Sequence, residues 1–295
     1  MEQADPAPSA GETPLAIICG GGTLPFAVAE AVRGRGRRVV LFPVHRVADA
    51  SAVAHFPHHW LRVGEAGRFR RLARAEGCRD VVLIGNIVRP ALRDIRLDWL
   101  TVLLLPKIVR FFRGGDDHLL SGLARLFEAH QFRLVAAHEL APDILVRAGP
   151  LGIHRPSARN IADIQQGLAL IAAIGRFDVG QGVVVAGHRV LAVEAADGTD
   201  RMLKHVAHLR REGRIRLTGS EGVLVKATKP GQDHRFDLPS IGPATIDAVA
   251  EAGLAGIAVV AGQTVVAEPE LVTEKANKAG VFIVGVGSPN SDAGP

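Results

Sequence analysis

The residues best equipped for chemistry lie between positions 193 and 240. Glu194, Asp197 and Asp200 flank the Gly198-Thr199 pair just ahead of a helical pattern. Lys226 and Lys229 leave an apolar, strand-like run, and Gln232, Asp233, Arg235 and Asp237 fill the polar loop after it. Loops that leave the C-terminal end of a strand are a usual place for function. Lysine and arginine neutralise phosphoryl oxygens. Carboxylates hold Mg²⁺, which takes only one or two of them and keeps several waters, and they can orient or deprotonate an attacking water. Spacing does not separate Asp233 from Asp237. The same pattern also describes a polar surface loop whose acids offset Arg235 and the lysines. A second feature is Gly20-Gly21-Gly22, followed by Thr23, at the end of the first apolar run. Backbone amides at such a turn, opening into a helix, receive phosphate or sugar well. Tight packing of strand on helix asks for the same glycines.

Other chemistries lack their signatures. With Gly20 and Gly22 as the first two glycines of a dinucleotide fingerprint, the final glycine position is Pro25. The second strand ends in Pro43-Val44-His45, with no acid to hold a ribose, which argues against a nicotinamide oxidoreductase. No GxSxG elbow and no GxxxxGK[ST] loop occurs. His55, His58 and His59, and the His205/His208 pair, do not form a zinc pattern, and neither HExxH nor CxxC is present. Asp116-Asp117 could ligate a metal, but acids in the first turn of a helix are also expected from its dipole alone.

The elements that must position these residues alternate. LAIICGGG (15–22) reads as a buried strand, 23–36 as a helix with Thr23 as N-cap, 37–44 as a second strand, 65–76 as a basic helix and 80–87 as a third strand. This β-α-β-α-β order predicts a Rossmann-like parallel sheet. The strongly apolar stretch 97–113, interrupted by Pro106 and closed by Lys107, Arg110 and Arg113, is either a buried helix pair or a surface that meets lipid. A helix over 114–132 and a strand over 132–140 follow. The proline-bearing segment 141–160 marks a domain boundary. Beyond it we expect a helix near 160–175, a hairpin over 183–195 and a helix over 199–212. A strand at 222–227, a helix from Pro243, a strand at 255–262 and a final helix and strand ending near 286 complete the reading. The fold class is therefore α/β in two domains, an N-terminal Rossmann-like domain (14–145) and a C-terminal mixed α/β domain (146–287), with tails at 1–13 and 288–295. The N-terminal tail reads as disordered.

At 295 residues, 47% hydrophobic and 22% charged, the chain has enough apolar content for two cores. No apolar run reaches the ~18–20 residues of a membrane span, and the acidic, proline-rich start is unlike a signal peptide. Cys19 and Cys78 fit buried thiols in a reducing cytoplasm. The net charge of +5 belongs wholly to the first half, where residues 62–113 hold twelve Lys/Arg against five acids. Such a patch attracts phosphate or anionic headgroups, or is simply a solvated surface. With no Tyr and two Trp, stacking on single-stranded nucleic acid has little support.

The segments IICGGGTLPFAVAEA, GNIVRP, RGGDDHLL, AHEL, RFDVGQGVVV, VLAVEAADGTDRML, GVLVKATKPGQDHRFDLPSIGP and AGLAGIAV, in this order from about residue 14 to 286, resemble the LpxI family. Those proteins are UDP-2,3-diacylglucosamine pyrophosphatases of lipid A biosynthesis. The resemblance implies a lipid-linked UDP-sugar held between two domains. It implies Mg²⁺-dependent hydrolysis to UMP and 2,3-diacylglucosamine 1-phosphate, with water attacking the sugar-side phosphorus. It tips the choice of essential acid to Asp237, in the Asp-Leu-Pro step, with Asp233 beside it. Asp200 joins them as a metal ligand, and Lys226 and Lys229 as catalytic cations. Substrate contacts fall on Gly20, Gly21, Gly22, Thr23, Asn86, Thr199, Gln232 and Arg235. The 97–113 segment would help to receive acyl chains, or is ordinary core. A cytoplasmic protein peripheral to the inner membrane is implied, with no nucleic-acid partner, and a homodimer stays open. The alternative is a non-catalytic nucleotide-sugar or lipid-binding protein of the same fold.

Overall fold

The computed structural model describes residues 13–85, 96–112, 116–177, 179–216, 221–229 and 238–287, with backbone alone for 107–112, 116–121 and 123. The chain divides into two compact units, one ending at Pro142 and the other beginning at Asp143.

The first unit runs β1 (Leu15–Cys19), α1 (Leu24–Gly34), β2 (Val39–Pro43), α2 (Ala50–Val53), α3 (Ala66–Ala75), β3 (Asp80–Ile84), α4 (Trp99–Phe112), α5 (Asp116–Ala129), β4 (Arg133–Leu134) and α6 (Ala137–Leu140). Its four strands are all parallel, in the order β2-β1-β3-β4. β2 is buried throughout, as near-continuous apolar strands are when both faces are covered. On one side Phe69 of α3 stands edge-on to Phe42 of β2, with ring centroids 4.9 Å apart. Phe69 also meets Phe127 of α5 edge-on at 5.6 Å. The N-terminal edge of the sheet is closed by charge. Asp80, the first residue of β3, accepts from Arg37 Nη2 at 2.6 Å and from Arg133 Nε and Nη2 at 2.8 Å each, while Arg37 Nε donates to the Thr13 carbonyl at 3.0 Å.

Two expectations for this unit change. Residues 132–140 form only the two-residue β4 and then the short helix α6, so the predicted strand is mostly absent. The 97–113 stretch is one helix, α4, with Pro106 inside it. Leu97, Trp99, Val102, Leu103 and Leu105 around its first half are exposed, so this half is not the buried pair.

The second unit runs β5 (Gly149–Pro150), α7 (Ala158–Ile174), β6 (Gly182–Ala186), β7 (Arg189–Val193), α8 (Gly198–Arg211), β8 (Val223–Lys226), β9 (Ser240–Ile241), α9 (Pro243–Ala252), β10 (Gly256–Val260), β11 (Val265–Val266), α10 (Pro269–Ala279) and β12 (Phe282–Val286). Six strands make a mixed sheet, β5-β12-β10-β8-β6-β7, parallel across β12, β10 and β8 and antiparallel elsewhere. β9 and β11 form a small parallel pair. Strand alternation divides the side chains between two cores. Val184, Leu224, Ile257 and Ile283 pack with residues of α8, α9 and α10. Val183, Val225, Ala258 and Val284 pack with Ile164, Leu168 and Ile171 of α7. α7 starts at Ala158 rather than near 160 because Ser157 and Asn160 form a reciprocal capping box. The protein is thus α/β, with a parallel sheet in its first unit and a mixed sheet in its second.

Two measurements test this packing. Burial by itself raises the Asp80 carboxyl, but hydrogen bonds from Arg133 and then Arg37 outweigh it and hold the group below its ordinary value. Its stabilisation is therefore complete above the unfolded value of about 3.9 and is lost as pH falls through the lower folded value. Asp80→Asn is expected to cost about 3 kcal/mol at pH 7, because it removes the charged acceptor of the buried Arg37. In urea titrations the gap to wild type should narrow below about pH 4. Burial also pushes the Cys19 thiol up to about 12 and Cys78 up to about 11. Both should resist Ellman's reagent at pH 8 in the folded chain and react once it is unfolded.

Candidate functional site

In the first unit the chain reverses direction across the sheet beside β1, with β2 on one side and β3 on the other. The crevice outside the carboxyl ends of strands at such a point is where open α/β sheets bind ligands. Gly20-Gly21-Gly22 occupies it as the turn from β1 into α1, so the first strand ends at Cys19 rather than continuing through the glycines. Gly20 N donates to the Ile84 carbonyl at 2.7 Å. Gly85, which follows β3 with φ +97°, lies so close that a Cβ there would stand 2.7 Å from the Gly21 carbonyl oxygen. The two turns pack backbone on backbone. Gly22 and Thr23 are exposed, and Gly22 has φ +92° with open space around it.

Thr23 holds the N-cap position, but its side chain makes no cap hydrogen bond. Its hydroxyl is therefore not consumed by the helix. β2 ends beside this turn, where Val44 N donates to the Cys19 carbonyl at 3.0 Å. His45 follows, stacked on Trp60 at 5.0 Å. Partial burial, then the Arg62 guanidinium, pushes His45 below its ordinary value, so it is a neutral imidazole at pH 7. Asn86 lies outside the described residues.

In the second unit three of the predicted residues converge at the end of β8. Lys226 is 7% exposed. Its ammonium donates to Thr199 Oγ1 at 2.9 Å and to the Ser240 carbonyl at 3.2 Å. Thr199, in the first turn of α8, donates its own proton to Glu194 Oε1 at 2.8 Å. The hydroxyl can do both because it carries one proton and two lone pairs. The result is a directed chain from Lys226 through Thr199 to Glu194. Asp200, next in α8, is exposed. Lys229, three residues beyond Lys226, is buried.

Glu194 is a residue that the sequence reading flagged without giving it a role, and the structure ties it to two that were given one. Its signal is the pair Gly180 and Gly182. A Cβ on Gly180 would stand 2.5 Å from Glu194 Cγ, and one on Gly182 would stand 2.7 Å from Glu194 Oε2. Glu194 Oε2 is buried and has no hydrogen-bond partner among the described residues. Asp233, Asp237, Gln232 and Arg235 lie outside the described residues. Among the described residues no cluster of three or more His, Cys, Asp or Glu side chains gathers. Mg²⁺ needs fewer protein ligands than that, and the exposed Asp200 carboxylate is an oxygen donor of the right chemistry.

Thr199→Val removes the link between Lys226 and Glu194 while preserving shape. It is expected to cost about 1–3 kcal/mol in urea unfolding, because a buried ammonium loses an acceptor and a buried carboxylate loses a donor. Thr199→Ser should restore most of the loss.

Comparison with known proteins agrees with the two-unit division. Residues 14–144 match the LpxI N-terminal domain and residues 147–284 the LpxI C-terminal domain. Over 272 residues the chain is 40% identical to the UDP-2,3-diacylglucosamine pyrophosphatase LpxI of Caulobacter vibrioides, covering 92% of this chain and 97% of that protein. Among solved structures, a GalE-like L-threonine dehydrogenase from Cupriavidus necator is 15% identical with a TM-score of 0.25, covering 58% of this chain and 67% of the other. The UDP-glucose 4-epimerase of Thermus thermophilus is 14% identical with a TM-score of 0.30, covering 94% and 88%. Neither likeness is close enough to bear on fold or activity. Both domain matches and the near full-length identity place this chain in the LpxI family.

Proposed function

We propose that this protein hydrolyses the pyrophosphate bond of UDP-2,3-diacylglucosamine, giving UMP and 2,3-diacylglucosamine 1-phosphate in lipid A biosynthesis. The reading is carried by the 40% identity, across 92% of the chain, to the Caulobacter protein of that name. The Lys226–Thr199–Glu194 chain supports it, because it holds an oriented cation of the kind a phosphoryl group calls for.

Balance of the reaction assigns the roles. Water adds to the sugar-side phosphorus, and the bond from that phosphorus to the bridging oxygen breaks. UMP leaves with the bridging oxygen, and the water gives up a proton. Asp237 takes that proton or holds Mg²⁺, and Asp233 and Asp200 complete the ligands. When bound, Mg²⁺ neutralises the diphosphate charge and lowers the pKa of water. Lys226, Lys229 and Arg235 stabilise charge that builds on the phosphoryl oxygens, which is most of what phosphoryl transfer asks of a protein. Lys226 enters this role already oriented by Thr199, so little reorganisation is left for the transition state. The turn Gly20–Gly22, exposed at Gly22, contacts substrate with Thr23, Asn86, Gln232 and Arg235. The enzyme works in the cytoplasm, peripheral to the inner membrane that holds its substrate.

UMP release from UDP-2,3-diacylglucosamine, with and without Mg²⁺, tests this. Wild type should release UMP only with the metal. Asp237→Ala should lose at least ~10³-fold in rate while keeping the wild-type melting temperature. Full turnover by a folded Asp237→Ala would overturn the assignment of the acid. Substrate binding without turnover under any divalent metal would instead make the chain a binding protein.

A further inference from the structure

The described residues contain eleven exposed large apolar side chains, and five of them lie within nine positions, at Leu97, Trp99, Val102, Leu103 and Leu105. Trp99 is 81% exposed and Leu103 65%. Their order along α4 is that of a helix with two faces. Thr101 and Leu104 turn inward and are buried, while Trp99, Val102, Leu103 and Pro106 are all exposed, at the i, i+3, i+4 and i+7 positions of one stripe.

This stripe is held against a row of arginines. Asp98 joins the first turns of α3 and α4, accepting from Arg68 N and from Thr101 N at 2.9 Å each, and Ala66 N donates to Thr101 Oγ1 at 3.0 Å. Between the helices runs an open groove of about 630 Å³ whose walls include Arg68, Arg70, Arg71, Arg74, Trp99 and Leu100. Arg70 and Arg71 make no side-chain hydrogen bond or ion pair among the described residues. The groove's own acid, Asp98, is held ionised by backbone amides of both helices, and Arg68 leans on Glu65, so four arginines stand against two carboxylates at this face.

We infer that α3 and the first half of α4 form a docking face for an anionic bilayer surface, with Trp99 and Leu103 entering the boundary of the acyl region and the arginines lying among the headgroups. An exposed indole beside a leucine, rimmed by arginine, suits the interface between hydrocarbon and water. Each arginine near an anionic surface contributes about a fivefold change in partition. A second copy of the chain fits less well, because a two-fold contact through this face would set the two arginine rows against each other. This inference rests on the lipid-linked substrate of the reading above.

The test uses the full chain carrying Trp60→Phe, which leaves Trp99 as the sole indole. It is mixed, without UDP-lipid, with vesicles of phosphatidylcholine alone or with about one third phosphatidylglycerol, including lipids brominated on the acyl chain. Trp99 emission should shift to the blue and be quenched on the anionic vesicles only, and high salt should reverse this. Arg71→Glu should weaken partition more than about fivefold, and Leu103→Glu should abolish it; both sites are exposed, so both variants should melt like the parent. Absence of quenching in the parent overturns the inference whether or not any variant folds. Binding that survives both substitutions, or a concentration-dependent shift of Trp99 without vesicles, overturns it too. Vesicle binding without turnover would leave the docking face standing and remove the pyrophosphatase reading; turnover without vesicle binding would do the reverse.

Discussion

An ammonium buried at the end of a central strand has to find its acceptors inside the protein, since an uncompensated buried charge costs several kcal/mol. Lys226 sets that requirement for the second unit. β8 lies between β10 and β6 in the sheet, so the lysine is surrounded by strands on both sides. Its acceptors come from the start of α8 and from β9. The carboxylate that balances it comes from the residue after β7. Across the ladder from Lys226 stands Gly182, whose missing side chain leaves room for Glu194, and Glu194 N donates to the Gly182 carbonyl at 2.8 Å. Four consecutive elements, β7, α8, β8 and β9, are thus tied together around a single charge.

The first unit divides its labour between the two edges of one sheet. At the amino ends of the strands, Asp80 gathers the buried Arg37 and the exposed Arg133 into one ion cluster. At the carboxyl ends no comparable staple exists among the described residues, and backbone turns meet instead, Gly20 and Gly21 against Gly85. A side chain at either turn would fill the crevice with protein. Stability and ligand access therefore do not compete for the same edge. The departure from a dinucleotide site is equally physical. Pro25 removes an amide from the first turn of α1, and β2 leads into His45 and Arg46 where a ribose would need an acid.

Much of this was legible in the sequence because buried parallel strands are short apolar runs, two of them here closed by glycine. LAIIC, VVLFP and DVVLI announce themselves, and so does the hairpin around Gly187-His188. What escaped were features that depend on distant partners. β4 is two residues long and exists because β3 offers it an edge, so FRLVAAHEL overstated it. The capping box at Ser157 and Asn160 is local, yet proline at 156 drew attention to the boundary instead. The composition of 97–113 could not choose between core and surface, because a helix apolar on most sides looks the same in either place until its neighbours are known. Glu194 was visible only as one acid among three. Nothing in its own neighbourhood along the chain indicates that Gly180 and Gly182, a hairpin away, were left bare for it.

The charge of the chain has the same character. An excess of +5 confined to one half says little until the helices carrying it are placed. Arg37 and Arg133 share the one carboxylate of Asp80, the first buried and the second largely exposed, and Arg38 pairs with Glu76 at the surface. These cations serve the fold, and their partners offset part of their charge. Those of α3 differ, because their helix contributes Phe69 and Ala73 to the core and turns the remaining side chains outward. A helix anchored by so few apolar residues keeps its place through contacts at its ends, Asp98 at one and the chain around Cys78 at the other, where Cys78 N donates to the Ala73 carbonyl. Arg68 still reaches back to Glu65, and Arg74 donates to the His130 carbonyl and to Gln131 Oε1, so among the described residues Arg70 and Arg71 are the α3 arginines without such a contact, and it is they that bear most on the sign of this surface.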